Sequence, residues 1–347
     1  MTRQANFLRG AGTLALILGL AATAAKTETL INAAGASFPL PMYSKWFDQY
    51  NKLHPDVKIN YQSIGSGGGI RQVTEGTVDF GASDGPMTEE QIKQFKDKRH
   101  TDILHFPTVL GAVVPVYNIP GVTEELNFTP EALAGIYLGK IKKWNDPELT
   151  KANPKSKLPA NDIVVVHRAE ASGTTYIFVD YLSKVSPEWK SKVGTAAQVN
   201  WPVGLGGKGN EGVSGQVQQT PNSIGYVELV YAVQNKIPYG KVKNAAGVFV
   251  KAELASVTAA AAGAAKEMPD DFRVSITNAP GKAAYPISSF TWLLIPAKID
   301  DAAKKKAITD FLHWMMTDGQ KTTEALTFAP LPKPVVAKEM KAISKIQ

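Results

Sequence analysis

The sequence predicts an α/β fold arranged as two lobes, each a largely parallel sheet with helices on its faces. Three observations predict it. Short runs rich in β-branched residues alternate with segments of helical spacing along the chain. The 347 residues, 44% of them hydrophobic, are enough to build two separate cores. Two proline-marked extended stretches, "HFPTVLGAVVPVYNIPG" (105–121) and "AAYPISSFTWLLIP" (283–296), are candidates for the chain passing between lobes. On that division the first lobe holds residues 26–109 and 285–347, and residues 110–284 form the second lobe as an insertion.

The elements follow in order. "TLINAAG", "VKINYQSIG", "TVDFGASD" and "DIVVVH" are short and β-branched or alternating, and end in Gly, Ser, Asp or His, so they read as strands. Each is followed by a helical pattern: "PMYSKWFDQYN", "GGIRQVTEG", "TEEQIKQFKD" and "TTYIFVDYLSKV". Helix starts are marked by Pro39 and Pro41, by Thr88 ahead of Glu89 and Glu90, and by Thr129 ahead of Pro130. Ile308, Phe311, Leu312 and Met315 form one apolar stripe in a helix over 300–316, where Trp314 and Met316 read as packing. The Ala-rich piece 253–268 reads as a surface helix, and no tandem repeat is present.

Residues 1–25 differ from the rest. Arg3 and Arg9 precede the apolar run "AGTLALILGLAATAA", which ends in small residues, the pattern of a secretory signal peptide cleaved near Ala24 or Ala25. The run is shorter than the roughly 20 residues a membrane anchor needs. The sequence has no Cys, which excludes disulfides, thiolate metal sites and acylated-cysteine anchoring. Cleavage takes two of the 38 basic residues and none of the 31 acids, leaving a net charge of +5. That surplus, with no basic blocks interleaved with aromatics, does not point to nucleic acid. The "AAKKKA" run (302–307) reads as a solvated helix face.

His54, His100, His105, His167 and His313 are scattered without metal-ligand spacing, so neither a metal nor a cofactor is expected. "GLGGKGN" (204–210) fails the Walker A pattern, with no Ser or Thr after Lys208. "GASDG" (81–85) fits G-x-S-x-G and makes Ser83 a candidate nucleophile, with His105, His167 or His313 as base. Against this, Gly85-Pro86 and the Thr88 cap delay the helix that such an elbow needs at once.

The segment "HRAEASGTT" (167–175) leaves a strand, places an arginine and opens a helix with small hydroxyl residues. First-turn N–H groups lack internal partners and carry partial positive charge, so an anion docks there, with Ser172 and Thr174 as added donors, Gly173 permitting close approach and Arg168 supplying a fork of donors. Similar turns recur at Ser37-Phe38 in "GASFP" and at Ser66 in "GSGGG". In α/β sheets such turns gather at the carboxyl edge of the strands, where ligands bind. Asp84 ends a strand at that same edge. Facing an anion it is repulsive unless the guest offers a proton, so hydrogen phosphate is favoured over sulfate.

These residues resemble the periplasmic phosphate-binding proteins of the high-affinity ABC phosphate importer. The likeness runs through "GAGASFP", "YSKW", "IGSGGG", "TVDFGASDGP", "FPTV", "IYLGKIKKWND", "ASGTT", "WPVGLGGKGNEGV" and "SIGYVEL". It implies a type II periplasmic binding fold, two mixed or parallel sheets with flanking helices joined by crossing hinge strands, that closes over one phosphate without covalent chemistry. It implies ligand contacts at Ser37, Phe38 (through its N–H), Ser66, Asp84, Arg168, Ser172, Gly173 and Thr174, with Glu170 behind Arg168. It implies a monomer in the periplasm that delivers its ligand to a membrane permease.

Three positions depart from the better-known members. Ser37 replaces Thr and keeps the hydroxyl. Glu170 replaces Asp and lengthens the stem holding Arg168. Gly67 replaces a second Ser, which is expected to loosen that turn. "GLGGKGN" belongs to the family pattern and is expected near the cleft. A hydrolase acting through Ser83 and a surface adhesin on the same fold remain as alternatives.

Overall fold

The computed structural model describes Met1, Thr2 and residues 28–347; the expected signal peptide over residues 1–25 lies almost wholly outside the described residues. Eleven strands are present among them: β1 Thr29–Gly35, β2 Val57–Ser63, β3 Phe80–Ser83, β4 Ile103–Asn118, β5 Asn127–Phe128, β6 Val164–Arg168, β7 Leu205–Gly207, β8 Ser223–Glu228, β9 Lys241–Lys243, β10 Phe249–Val250 and β11 Ser288–Pro296. The first helices are α1 Leu40–Leu53, α2 Ser66–Glu75, α3 Glu89–Arg99, α4 Pro130–Tyr137, α5 Pro147–Ala152 and α6 Gly173–Val185. They are followed by α7 Pro187–Lys192, α8 Gly209–Gln219, α9 Leu229–Gln234, α10 Leu254–Ala261, α11 Ala302–Thr317 and α12 Lys333–Ala342.

Eight strands pair in the order β2-β1-β3-β11-β4-β8-β6-β7, and β10-β9-β5 form a small second sheet. Neighbours at both ends of the large sheet run parallel, as the alternating strand and helix patterns require. The middle differs from the mainly parallel expectation. β11 runs antiparallel to both β3 and β4, and β4 antiparallel to β8, so the sheet is mixed. These antiparallel strands are the two proline-marked stretches. β4 pairs through Ala112 with β11 and from Val113 with β8, so one 16-residue strand belongs to both halves and makes their ladders continuous.

Local signals account for most element ends. Thr88 caps α3 by accepting from the N–H of Gln91, whose side chain returns a bond to the Thr88 N–H. Thr129 accepts from the Ala132 N–H ahead of Pro130 at the first helical position. α1 buries Met42, Tyr43, Trp46, Phe47 and Tyr50 on one face; α11 buries Ile308, Phe311, Leu312, Met315 and Met316, with Trp314 packed against Tyr50. α10 stops at Ala261, shorter than the expected 253–268. Past Ala261 no large apolar side chain is available to dock the helix before Met268, and Ala content alone does not hold a short helix.

Candidate anion-binding site

The turns that leave β1, β2, β3, β6 and β7 converge. From β1 come Ser37 and Phe38, from β2 Ser66, from β3 Asp84, from β6 Arg168 through Thr174, and from β7 Asn210. Ser37, Phe38, Ser66, Asp84, Arg168, Ser172, Thr174 and Asn210 are all buried, Asp84 at 1% exposure and Arg168 at 3%. Hydrogen bonds join these turns over long sequence distances. The Gly173 N–H donates to Ser66 Oγ at 3.0 Å, the Asp84 N–H to the same oxygen at 3.2 Å, and the Gly67 N–H to the Ala171 carbonyl at 3.0 Å.

Close approach dictates two glycines. A Cβ on Gly173 would meet Ser66 Oγ at 2.4 Å and Asp84 Cβ at 2.6 Å, so only glycine lets the start of α6 reach across. A Cβ on Gly67 would meet the Ala171 Cβ at 2.4 Å. Gly67 therefore permits a tight backbone contact with the β6–α6 turn, and the expected loosening is corrected: the turn is tied down through its own N–H.

The donor groups are unusually free. The N–H groups of Phe38, Ser66 and Thr174 have no hydrogen-bond partner among the described residues, and α2 begins without a side-chain cap. Buried N–H groups are nearly always paired, so several orphan donors in one place mark a site built for an acceptor. Ser172 caps α6, its Oγ accepting from the Thr175 N–H at 3.1 Å, which leaves its own proton to donate.

Arg168 is held from behind. Glu170 Oε1 accepts from Arg168 Nε at 3.0 Å, from Nη2, and from the Gly209 N–H at 3.1 Å. One carboxylate oxygen takes all three bonds, while Oε2 has no partner. Arg168 Nη1 donates to Thr174 Oγ1 at 3.1 Å, and the Arg168 N–H to the Tyr226 hydroxyl at 3.1 Å. Partial burial pushes the Glu170 carboxyl up, but the hydrogen bond and charge of Arg168 outweigh that and hold it below the usual range.

Asp84 has the opposite electrostatics. Burial pushes its carboxyl up to about 7, although the Thr291 hydrogen bond, the Arg168 charge and bonds from Ser66 and Thr174 act against the rise. Thr291 Oγ1 donates to Oδ1 at 2.9 Å, and Ser66 Oγ is at 3.5 Å from Oδ2. Asp84 is thus a buried, poorly compensated carboxylate facing N–H and O–H donors.

The candidate nucleophile reads differently. Ser83 Oγ donates to the Gly85 carbonyl at 2.6 Å and accepts from the Gly85 N–H, a local turn that commits its proton. His105 Nε2 accepts from the Met87 N–H, His167 stacks on Trp201, and no hydrogen bond joins any histidine to Ser83 among the described residues. The arrangement is that of a turn and not of a nucleophile with its base.

Sequence reasoning missed Asn210 and Thr291. Asn210 opens α8 after β7, a strand-to-helix turn like the others, but β7 is three residues long and two of them are glycine, so no strand pattern announced it. "GLGGKGN" does lie at the site, through Gly209 and Asn210. Thr291 lies on β11, 207 residues from its partner Asp84, with no local signal at all.

Residues 21–319 match the family described as a PBP superfamily domain. The chain is 47% identical over 313 residues to the phosphate-binding protein PstS of Xylella fastidiosa, covering 90% of this chain and 84% of that one. The chain belongs to the PstS phosphate-binding protein family. A phosphate-binding protein PstS of Methanocaldococcus jannaschii is 40% identical over 338 residues, covering 92% of this chain and 86% of that one. Among solved structures, a putative phosphate ABC transporter substrate-binding protein from Clostridium perfringens with bound phosphate superposes with a TM-score of 0.64 at 18% identity. It covers 88% of this chain and all of that one, a likeness of fold. The mixed sheet with flanking helices seen here is the α/β architecture of the type II periplasmic binding fold.

Proposed function

We propose that this protein is a periplasmic solute-binding protein that captures inorganic phosphate and delivers it to the permease of an ABC importer. The single observation that carries the reading is the convergence of orphan N–H groups, hydroxyls and Arg168 around one buried acceptor, Asp84. Family membership supports it: the relatives bear the name phosphate-binding protein, and the Clostridium perfringens structure holds phosphate.

In this reading Ser37, Phe38, Ser66, Asp84, Arg168, Ser172, Gly173 and Thr174 contact the anion, and Glu170 holds Arg168. Donors meet the unprotonated oxygens, and ionised Asp84 accepts the proton of hydrogen phosphate. Sulfate has no such proton and would leave two negative groups face to face. With its carboxyl near 7, Asp84 itself becomes a donor in acid, so discrimination against sulfate falls as the pH drops from about 8 to about 6. No bond is broken, and the protein is not an enzyme.

Residues 26–109 with 285–347 form one lobe and residues 110–284 the other. The partner change of β4 at Ala112 and Val113 supports the boundary, and the Ser66–Gly173 and Gly67–Ala171 bonds are then contacts across the cleft. Closure is a hinge motion about the crossing segments. Export through the signal peptide, cleaved near residue 25, and a monomeric state complete the proposal. A calorimetric titration of the mature protein with phosphate, arsenate and sulfate in turn tests it. Phosphate and arsenate bind and sulfate does not; equal binding of sulfate, or no binding of phosphate, sinks the reading.

A further inference from the structure

Three hydroxyls of this site, those of Ser37, Ser66 and Thr174, share a property that the sequence does not reveal: their acceptor capacity is already used. Ser37 Oγ accepts from the Asn210 N–H at 3.2 Å and from Asn210 Nδ2 at 2.9 Å. Thr174 Oγ1 accepts from Arg168 Nη1 at 3.1 Å and from Asn210 Nδ2 at 3.2 Å. Ser66 Oγ accepts from the Gly173 and Asp84 N–H groups. A hydroxyl oxygen has two lone pairs and one proton. With both lone pairs engaged, each of these groups has one remaining function, to donate.

Asn210 supplies three of the four bonds that saturate Ser37 and Thr174, and its amide is not free to turn over. Its Oδ1 accepts from the buried N–H of Glu228 at 2.9 Å, so flipping the amide would set Nδ2 against that donor. The amide is therefore locked with both Nδ2 protons aimed at hydroxyl oxygens, one on the β1–α1 turn and one on α6. Asn210 is itself fully buried.

From this geometry we infer that Asn210 is a positioning residue for anion capture, an inference that rests on the phosphate reading above. By occupying the lone pairs of Ser37 and Thr174 it turns two ambivalent hydroxyls into obligate donors. In its absence either hydroxyl can rotate and present a lone pair to the guest, which repels an anion and weakens selection by charge. Its bonds to Ser37 and Thr174 also span 173 and 36 residues of sequence, so it ties the β1–α1 turn to α6.

The test is a thermodynamic cycle read by phosphate titration. Four proteins are compared: the parent, Asn210→Ala, Ser37→Ala/Thr174→Val, and the triple variant, each checked by thermal melting. In the parent, Asn210→Ala weakens phosphate binding about 10- to 30-fold, whereas in the Ser37→Ala/Thr174→Val background the same change costs less than about threefold, because there are no hydroxyls left to orient. An undiminished effect in that background, or no effect in the parent, overturns the role of Asn210 while leaving phosphate binding intact. A parent protein that binds no phosphate overturns both readings. Should Asn210→Ala fail to fold, Asn210→Asp keeps the acceptor for the Glu228 N–H and runs through the same cycle. Its charge lowers affinity in both backgrounds, and a smaller loss in the Ser37→Ala/Thr174→Val background supports the inference; equal losses overturn it.

Discussion

Asp84 and Glu170 both sense the charge of Arg168, yet they stand in opposite protonation regimes. Glu170 is bonded directly to the guanidinium, with a side chain 22% exposed, and is held below its ordinary range. Asp84 is sealed from water, makes no hydrogen bond to the arginine among the described residues, and is pushed up to about 7. The difference teaches that a cation's influence depends on whether it also satisfies the carboxylate it faces. Glu170 is a fixed counter-charge; Asp84 is an acceptor left partly unsatisfied among donors, which suits it to test a guest for a proton.

The largest effect is expected at their common partner. Arg168→Ala removes the charge seen by both carboxylates. Titration should show phosphate affinity falling by roughly two to three and a half orders of magnitude, since stripping one partner from a buried charged cluster costs about 3–5 kcal/mol. Retained affinity would mean that the orphan amides suffice alone.

Asp84→Asn removes the charge but keeps the shape and offers an N–H. Sulfate binding should then gain about 10- to 100-fold relative to phosphate, the scale of one hydrogen bond to a charged group made or lost. An unchanged ratio removes Asp84 from the selection. Glu170→Gln keeps an acceptor for Arg168 without the charge, and should weaken phosphate by only about tenfold with the sulfate ratio unaltered.

The two acids should also leave opposite signatures in stability measured without added anion. Asp84 has a raised carboxyl, so between about pH 4 and 7 the folded protein holds a proton that the unfolded chain has released, and stability falls as the pH rises. The melting temperature of Asp84→Asn relative to the parent should therefore climb across that window and level off above it. Glu170 is depressed, so its contribution is present above about pH 4.5 and is lost as the pH falls below it. The deficit of Glu170→Gln should shrink on acidification. Matching slopes for the two variants would erase the distinction. The smallest effect is expected from Ser83→Ala next to Asp84: a loss of about 1 kcal/mol from the bond to the Gly85 carbonyl, and a phosphate affinity within about twofold of the parent.

Much of the fold was legible. The strands ending before Ser37, Ser66 and Asp84 and at Arg168, and the helices after them, appear where period and caps placed them, because a cap or an apolar stripe is written within about ten residues. The site residues named from the turns lie together, and the burial of Ser172 as both cap and candidate donor fits either reading of it. What was not legible had no local signature. β7 is too short to show alternation, so Asn210 was not seen; the antiparallel centre of the sheet cannot be inferred from the period of β4 or β11, since alternation is the same in either direction.

By itself, the sequence determined the order of elements, the donor-rich turns, the lone arginine and the carboxylate, since each depends on residues adjacent in the chain. Only the tertiary structure decided what those groups became. Ser66 meets Gly173 across 107 residues and Ser37 meets Asn210 across 173, and those meetings orient the hydroxyls. Burial, which no single segment can impose on itself, is what raises Asp84 while Glu170 stays low. A residue's type sets which protons it can give or take; its desolvation and its partners set which of these it does.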